Sequence, residues 1–327
     1  MRSVGKVLLA NPVLDRELRQ RSRSLRAVVL LVVFLGLLLG AAALIELGQQ
    51  AARRSGFVDP WAVPDVQLSA GRTMLEWLLA VMLSILLFIV PGISANAVSG
   101  ERERQTLTPL QVTLMGPVAI LAGKIAASSA FALLLLVAAM PVLALPYLIG
   151  GVSLGQVLLS LFVLAALAVL LAAIGVSCSA IFRRTQTATL MAYGVVLALV
   201  VGTPLALAAA AAVDASRGVD PADPPTALVW PNPYVGLADA AGDTVQSGDS
   251  PFSALKRSLL QSRFGSVNVI DDGTGVVVID EFGAAVPVDG TGRPPVWVRT
   301  LLIQLQVAVV LFVVAWRRLR TPAEEDR

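Results

Sequence analysis

Apolar residues fall into long runs without a charge, separated by short polar segments. From Ile125 to Phe182 there is no Asp, Glu, Lys or Arg at all. A run of that length exceeds any buried element of a water-soluble domain, whereas about 20 apolar residues suffice to cross a bilayer. The pattern predicts six transmembrane helices: Ala27 to Ile45, Trp77 to about Val98, the segment after Lys124 to Ile149, Leu154 to Ile181, Thr187 to Val213, and Thr300 to Trp316. Gly150-Gly151-Val152-Ser153 makes the turn between the third and fourth, where glycine can adopt positive φ. Arg183-Arg184 and Arg317-Arg318 stop the fourth and sixth. The fold class is an all-α polytopic membrane protein.

Three polar segments remain. Residues 1–26 carry seven basic residues, too many for a cleavable signal peptide. Asn11 suits an N-cap and Pro12 a first helical position. On a helix, Leu14, Leu18 and Leu25 form one stripe, with Arg16, Arg19, Arg23 and Arg26 opposite. Such a helix is expected to lie at the membrane surface, as a basic anchor or as a transmitter of motion. The second segment follows span two. Pro91-Gly92 loosens the end of the span, Ser99-Gly100 leads into Glu101-Arg102-Glu103-Arg104-Gln105-Thr106-Leu107, and Met115-Gly116-Pro117 breaks the chain before span three. This reads as a short helix over about 99–110, doubly charged and apolar at Leu107 and Leu110; Glu101 and Glu103 are expected to face water. The third segment, 214–299, reads as a small external α+β subdomain. Pro251 to Phe264 predicts a helix, and Val267 to Ile270 with Val276 to Asp280 a hairpin closed by Asp271-Asp272-Gly273-Thr274-Gly275.

Charge sets the orientation. With the N-terminus inside, 16 Lys and Arg fall in inner segments and 9 in longer outer ones, so both termini are expected in the cytoplasm. Trp61, Trp77, Trp297 and Trp316 lie at predicted membrane boundaries. The basic residues serve the bilayer, and no nucleic-acid partner is expected. The chain has no His and one Cys, Cys178, which excludes His-based catalysis and Cys-rich metal sites. Ion-coupled carriers need carboxylates near mid-membrane, but Glu46 and Glu76 sit near outer span ends. Gly116 to Gly123-Lys124 has the wrong spacing for a phosphate loop, and Ile125 stands where Ser or Thr would hold magnesium. Gly123-Lys124 reads instead as a span start with a snorkelling lysine. A transporter built this way must draw its energy from another chain. Gly36 and Gly40 make a small-xxx-small pair suited to packing within the bundle. Gln304 and Gln306 cannot share one helix face, so at most one faces a substrate path.

The run Ser99-Gly100-Glu101-Arg102-Glu103-Arg104-Gln105-Thr106-Leu107, followed by Gly123-Lys124, resembles the hallmark of type-2 ATP-binding-cassette (ABC) exporter permeases, with Gln105 in place of the usual Gly. The helix after Asn11-Pro12 resembles that family's interfacial helix. The resemblance implies a coupling helix that docks on an ATPase through Glu101, Arg102, Glu103, Arg104, Thr106 and Leu107, and an interfacial helix carrying Asn11, Pro12, Arg16, Glu17 and Leu18. It implies a second permease, as homo- or heterodimer, and two copies of an ABC-type ATPase that holds the ATP and magnesium. This chain is then no enzyme and binds no cofactor directly. It implies a multi-pass protein of the bacterial cytoplasmic membrane. The organisation expected is 1–26 interfacial helix, 27–213 spans one to five, 214–299 extracellular subdomain, 300–317 span six and 318–327 cytoplasmic tail. The competing expectation is a non-transporting assembly or sensory module that works through its extracellular segment.

Overall fold

The computed structural model describes residues 25–54, 63–104, 117–217, 226–242, 251–252, 255, 268–271, 276–279, 285–286 and 295–320. The interfacial helix expected over 1–26 falls almost wholly outside them, as do the tail beyond 320 and nearly all of the helix expected from Pro251.

Among the described residues, six helices are long and apolar enough to cross a membrane. They are α1 (Leu25–Arg54), α2 (Val63–Ser94), α4 (Pro117–Ile149), α5 (Leu154–Ile181), the fifth span, and α9 (Val296–Arg320). The fifth span is α6 (Thr185–Leu197) and α7 (Thr203–Ser216), joined by a π-turn at Ala198–Gly202. The five-residue α3 (Ser99–Glu103) follows α2, and the eight-residue α8 (Pro233–Ala240) precedes α9. The last helix thus starts at Val296, ahead of the expected Thr300.

The bundle is built around α5, which packs on α9, α4 and α2, and more lightly on α6. Its inward side is apolar at each turn, with Val163, Leu164, Leu167, Ala168 and Leu171 buried. They meet Leu78, Leu79, Met82 and Leu86 of α2 and Leu135 and Leu136 of α4 in one cluster. Helix α1 lies at the periphery on α2 and α4 and inserts Phe34, Leu38 and Ala42. Gly36 and Gly40 lie on its exposed side, and a Cβ at either would meet nothing within 4 Å. They therefore do not serve packing within the bundle, contrary to expectation, because Phe34 and Leu38 fix which face of α1 turns inward.

The α4–α5 turn follows its sequence. Gly150 and Gly151 adopt φ of 104° and 80°. Ser153 then closes a capping box on α5: its Oγ accepts from Gln156 N at 3.2 Å, and Gln156 Oε1 accepts from Ser153 N at 3.0 Å. Gly71 of α2 packs so closely on the Gly150 and Pro146 carbonyls that no side chain fits there.

One part of the expected extracellular subdomain belongs to the bundle. Leu237, Ala238, Ala240 and Ala241 are buried in the same core cluster as α2, α4 and α5. Asn232-Pro233 starts α8 as the N-cap and first-turn proline pairing requires, with Tyr234 N donating to Asn232 Oδ1 at 3.0 Å. Residues 226–242 are therefore a short helical insertion between span ends. Its apolar contacts run along the whole stretch, since Val229 and Val235 are buried with Val296 beside Trp230, ahead of the residues that enter the main core. Farther along, β1 (Asn268–Asp271) pairs antiparallel with β2 (Val276–Ile279), placing Asn268 opposite Ile279, and β2 pairs with β3 (Ala285–Val286). The hairpin expected near these residues falls on β1 and β2.

Candidate functional site

At the end of the bundle where α2 finishes, the chain folds back into the charged run. Helix α2 ends at Ser94, whose Oγ donates to Val90 O at 2.7 Å, next to Pro91, which has no N–H of its own to give. Gly175 of α5 makes room for this. A Cβ there would stand 2.9 Å from Ser94 Cβ. Residues 95–98 turn, and α3 begins. The first N–H groups of a helix lack partners within it. Here Ser179 of α5 supplies one: its Oγ accepts from Val98 N and Ser99 N, both at 2.9 Å, and lies 3.1 Å from Ser99 Oγ.

The charged residues of α3 are then tied to three further points. Glu101 Oε1 is 2.9 Å from Lys124 Nζ of α4, with the lysine only 1% exposed and the glutamate 32%. Glu103 Oε1 accepts from Thr185 N at 2.7 Å, at the start of α6, where a carboxylate also suits the positive end of the helix dipole. Arg102 Nη1 donates to Phe182 O at 3.4 Å, just past the end of α5. Apolar contacts close the site beneath: Val98, Leu121, Val176, Ala180 and Ala315 form a cluster joining α4, α5 and α9 to the turn before α3.

Two expectations are corrected. Glu101 does not simply face water; it is partly enclosed and carries the partner of a buried cation. Lys124 does not snorkel outward. Its stem and ammonium turn into the bundle because Glu101 offers a charge there at lower cost than an isolated buried ammonium would carry. Glu103 is exposed as expected, and Arg104 beside it is exposed too. Thr106 and Leu107 of the coupling segment, and Asn11, Pro12, Arg16, Glu17 and Leu18 of the interfacial helix, lie outside the described residues. Sequence reasoning missed Ser179 and Thr185. The small polar residues Ser177 and Ser179, at the end of an otherwise apolar span, are the signal that could have found the first of them.

The opposite end of the bundle holds a second polar arrangement. Asn232 Nδ2 donates to Val200 O, within the π-helical stretch of the fifth span, at 3.0 Å, and to Thr203 Oγ1 at 3.0 Å. Gln304 of α9 is fully buried and donates through Nε2 to Pro231 O at 3.1 Å, while Gln306 is exposed on the outer side. Gln304 is thus a fastening of the α8 insertion. Tyr234 and Ser84 hydroxyls lie 2.6 Å apart, and Asp239 Oδ2 accepts from Trp297 N at 2.9 Å at the start of α9.

A family model described as ABC-2 family transporter protein matches residues 12–222, which hold the first five spans and α3. No curated protein matches the chain. The match covers well over half of the sequence, and the six apolar helices agree with it. The chain therefore belongs to the ABC-2 transporter family, as a multi-pass membrane permease component.

Proposed function

We propose that this chain is the transmembrane subunit of an ATP-driven exporter, and that the segment from Glu101 to Leu107 is the coupling helix on which a separate ABC ATPase acts. One observation carries the reading. Helix α3 is not a free loop: Glu101 ties it to α4 through Lys124, the Ser99 N–H and hydroxyl tie it to α5 through Ser179, and Glu103 ties it to α6 through the Thr185 N–H. A push on α3 is then delivered to three spans at once. Ion pairs and charge-assisted hydrogen bonds suit this, since they hold direction and register as well as contact.

In this reading two permeases, alike or different, pair in a bacterial cytoplasmic membrane and bind two ATPase subunits. ATP and magnesium stay on the ATPase. Closure of the ATPase pair displaces α3, and the linked ends of α4, α5 and α6 reshape the path between the permeases. The α3 end and both termini face the cytoplasm, in keeping with the 16 inner against 9 outer basic residues. Exposed Glu103 and Arg104, with Thr106 and Leu107, form the docking surface, while Glu101 works inward on Lys124.

The test separates docking from folding. Arg104→Glu and Leu107→Asp are introduced singly, and membrane level and thermal stability are matched to wild type. Both variants should insert normally and lose association with the co-encoded ATPase, or bind it without the permease altering ATP hydrolysis. Undiminished association and hydrolysis in both would overturn the assignment.

A further inference from the structure

The two halves of the fifth span are anchored differently. The inner half, α6, packs on α5, α2 and α3 and buries Ala188, Ala192 and Val196. The outer half, α7, packs mainly on the 226–228 turn, and Leu207 joins a small cluster with Val229, Val235 and Val296. Among the described side chains of α7, only its first, Thr203, is buried. The sequence defines the joint between the halves. In an α-helix Val200 O would accept the N–H of residue 204, but that residue is proline, which has none and whose ring presses on the same carbonyl. The helix widens here into the π-turn Ala198–Gly202. Asn232 of the insertion stands in for the missing donor. Its Nδ2 donates to Val200 O and to Thr203 Oγ1, both at 3.0 Å, and Thr203 Oγ1 donates in turn to Leu199 O at 2.8 Å. One amide thus holds two successive carbonyls of the turn.

We propose that residues 198–204 are a hinge for the outer half of the fifth span and that Asn232 is its latch. Prolines and π-turns are where helices bend. A hinge needs one side fixed and the other lightly held, and α6 and α7 meet these two conditions. The latch needs a rigid mount. The insertion has one, because Gln304 donates to Pro231 O, Ser160 Oγ donates to Ala240 O at 3.3 Å, and Trp297 N donates to Asp239. These bonds fix Asn232 to α9 and α5, so that its amide grips the joint from outside the span. When the amide lets go, α7 swings while Ala188, Ala192 and Val196 stay packed and Glu103 keeps its bond to Thr185 N. The outer end therefore opens without movement at the α3 end. Hinge and latch lie within one chain and do not rest on the exporter reading; in a permease they gate the outer side of the path.

The test measures spin-label distances in the full chain in lipid discs, with Cys178→Ala as background and labelled chains diluted in unlabelled ones. The outer pair is Val213→Cys on α7 with Leu158→Cys on α5. The control pair is Leu190→Cys on α6 with Val118→Cys on α4, and all four positions are exposed. The background chain should show one main outer distance and a minor second one. Asn232→Ser keeps a side-chain oxygen for the Tyr234 N–H, adds no charge and loses both Nδ2 bonds. It should raise the minor outer population about fivefold, as the loss of one ordinary hydrogen bond implies, and leave the control distance unchanged. Pro204→Ala gives Val200 O an N–H within its own helix. It should leave a single narrow outer distance and, combined with Asn232→Ser, cancel most of the shift. That rescue separates a latch from a mere fastening of α8, which residue 204 would not affect. Unchanged outer distances in Asn232→Ser, equal broadening of both pairs, or no rescue by Pro204→Ala would overturn the proposal. If Asn232→Ser does not fold, Pro204→Ala decides alone: an outer distribution as broad as that of the background chain sinks the hinge. No ATPase takes part, so failure of the Arg104 and Leu107 variants to affect docking leaves this result standing.

Discussion

Lys124 shows how a single side chain can change meaning between sequence and structure. As the last charge before a long apolar run, it looks like a topology marker. Buried beside Glu101, it becomes one half of a pair whose separation is costly: removing one partner of a buried ion pair typically costs about 3–5 kcal/mol because the other charge stays behind. Lys124→Met should therefore lower the thermal midpoint sharply, and Glu101→Gln/Lys124→Met should recover a large part of the loss. A double-mutant cycle on thermal or denaturant unfolding measures the coupling; additive effects would mean that the two residues do not interact. Ser179 is the neutral counterpart. Ser179→Ala leaves the Val98 and Ser99 N–H groups without their shared acceptor in a buried place, at a cost of about 1–3 kcal/mol. The effect should appear as faster hydrogen exchange confined to the turn before α3.

At the scale of elements, two helices behave differently from their composition. Helix α1 is apolar all round, yet it buries only the stripe through Phe34, Leu38 and Ala42, and its glycines face away. Gly36→Ala and Gly40→Ala should leave the stability of the isolated subunit unchanged or slightly raised, since alanine is the better helix former and no neighbour obstructs its Cβ. A marked loss of stability in detergent-solubilised protein would contradict this placement. Helix α8 is the reverse: a short helix in a polar segment whose removal reaches the core. Asn232→Leu strips the Val200 carbonyl and Thr203 hydroxyl of their donor beside a π-turn, and Gly236→Val pushes a side chain into Thr300, which already stands 2.8 Å from a Cβ at that position. Both should loosen the α7–α8–α9 end, with raised protease sensitivity there and none at the α3 end.

Across the whole molecule, the bundle has two polar ends with different architecture. One is built on charge and links α3 to α4, α5 and α6; the other is built on amide and hydroxyl bonds and links α8 to the fifth span and α9. Deletion of residues 256–294, replaced by a Gly/Ser linker, should leave the subunit folded and able to bind its ATPase, because α8, its fastenings and the buried Phe252 remain. Deletion extended back to 226 should destabilise the protein. The comparison is made by thermal stability and ATPase co-purification at matched membrane levels. Orientation is checked by replacing Cys178 and placing single cysteines at Ser247 and Gln105. An impermeant maleimide should label the first and not the second in intact cells, and the opposite pattern would invert the topology.

The six spans were legible in the sequence because bilayer crossing is a local demand: each helix must satisfy its own backbone and offer apolar side chains over its length, whatever its neighbours. The Gly150-Gly151 turn was equally local, and the Glu101–Leu107 run with Gly123-Lys124 carried the family, whereas the helix start at Asn232-Pro233, though just as local, went unread. Partnership was not legible. Nothing in the spacing of Glu101 and Lys124 states that they meet, that Ser179 rather than water receives the first N–H groups of α3, or that Gln304 fastens Pro231 instead of lining a path. Nor does composition reveal that Val235 to Ala238 enter the core while Gly36 and Gly40 stay outside it. A uniformly apolar helix carries no stripe to say which side turns inward, and in a bilayer both sides are satisfied. That choice falls to the shape and hydrogen bonds of the packed bundle, and it exists only in the tertiary structure.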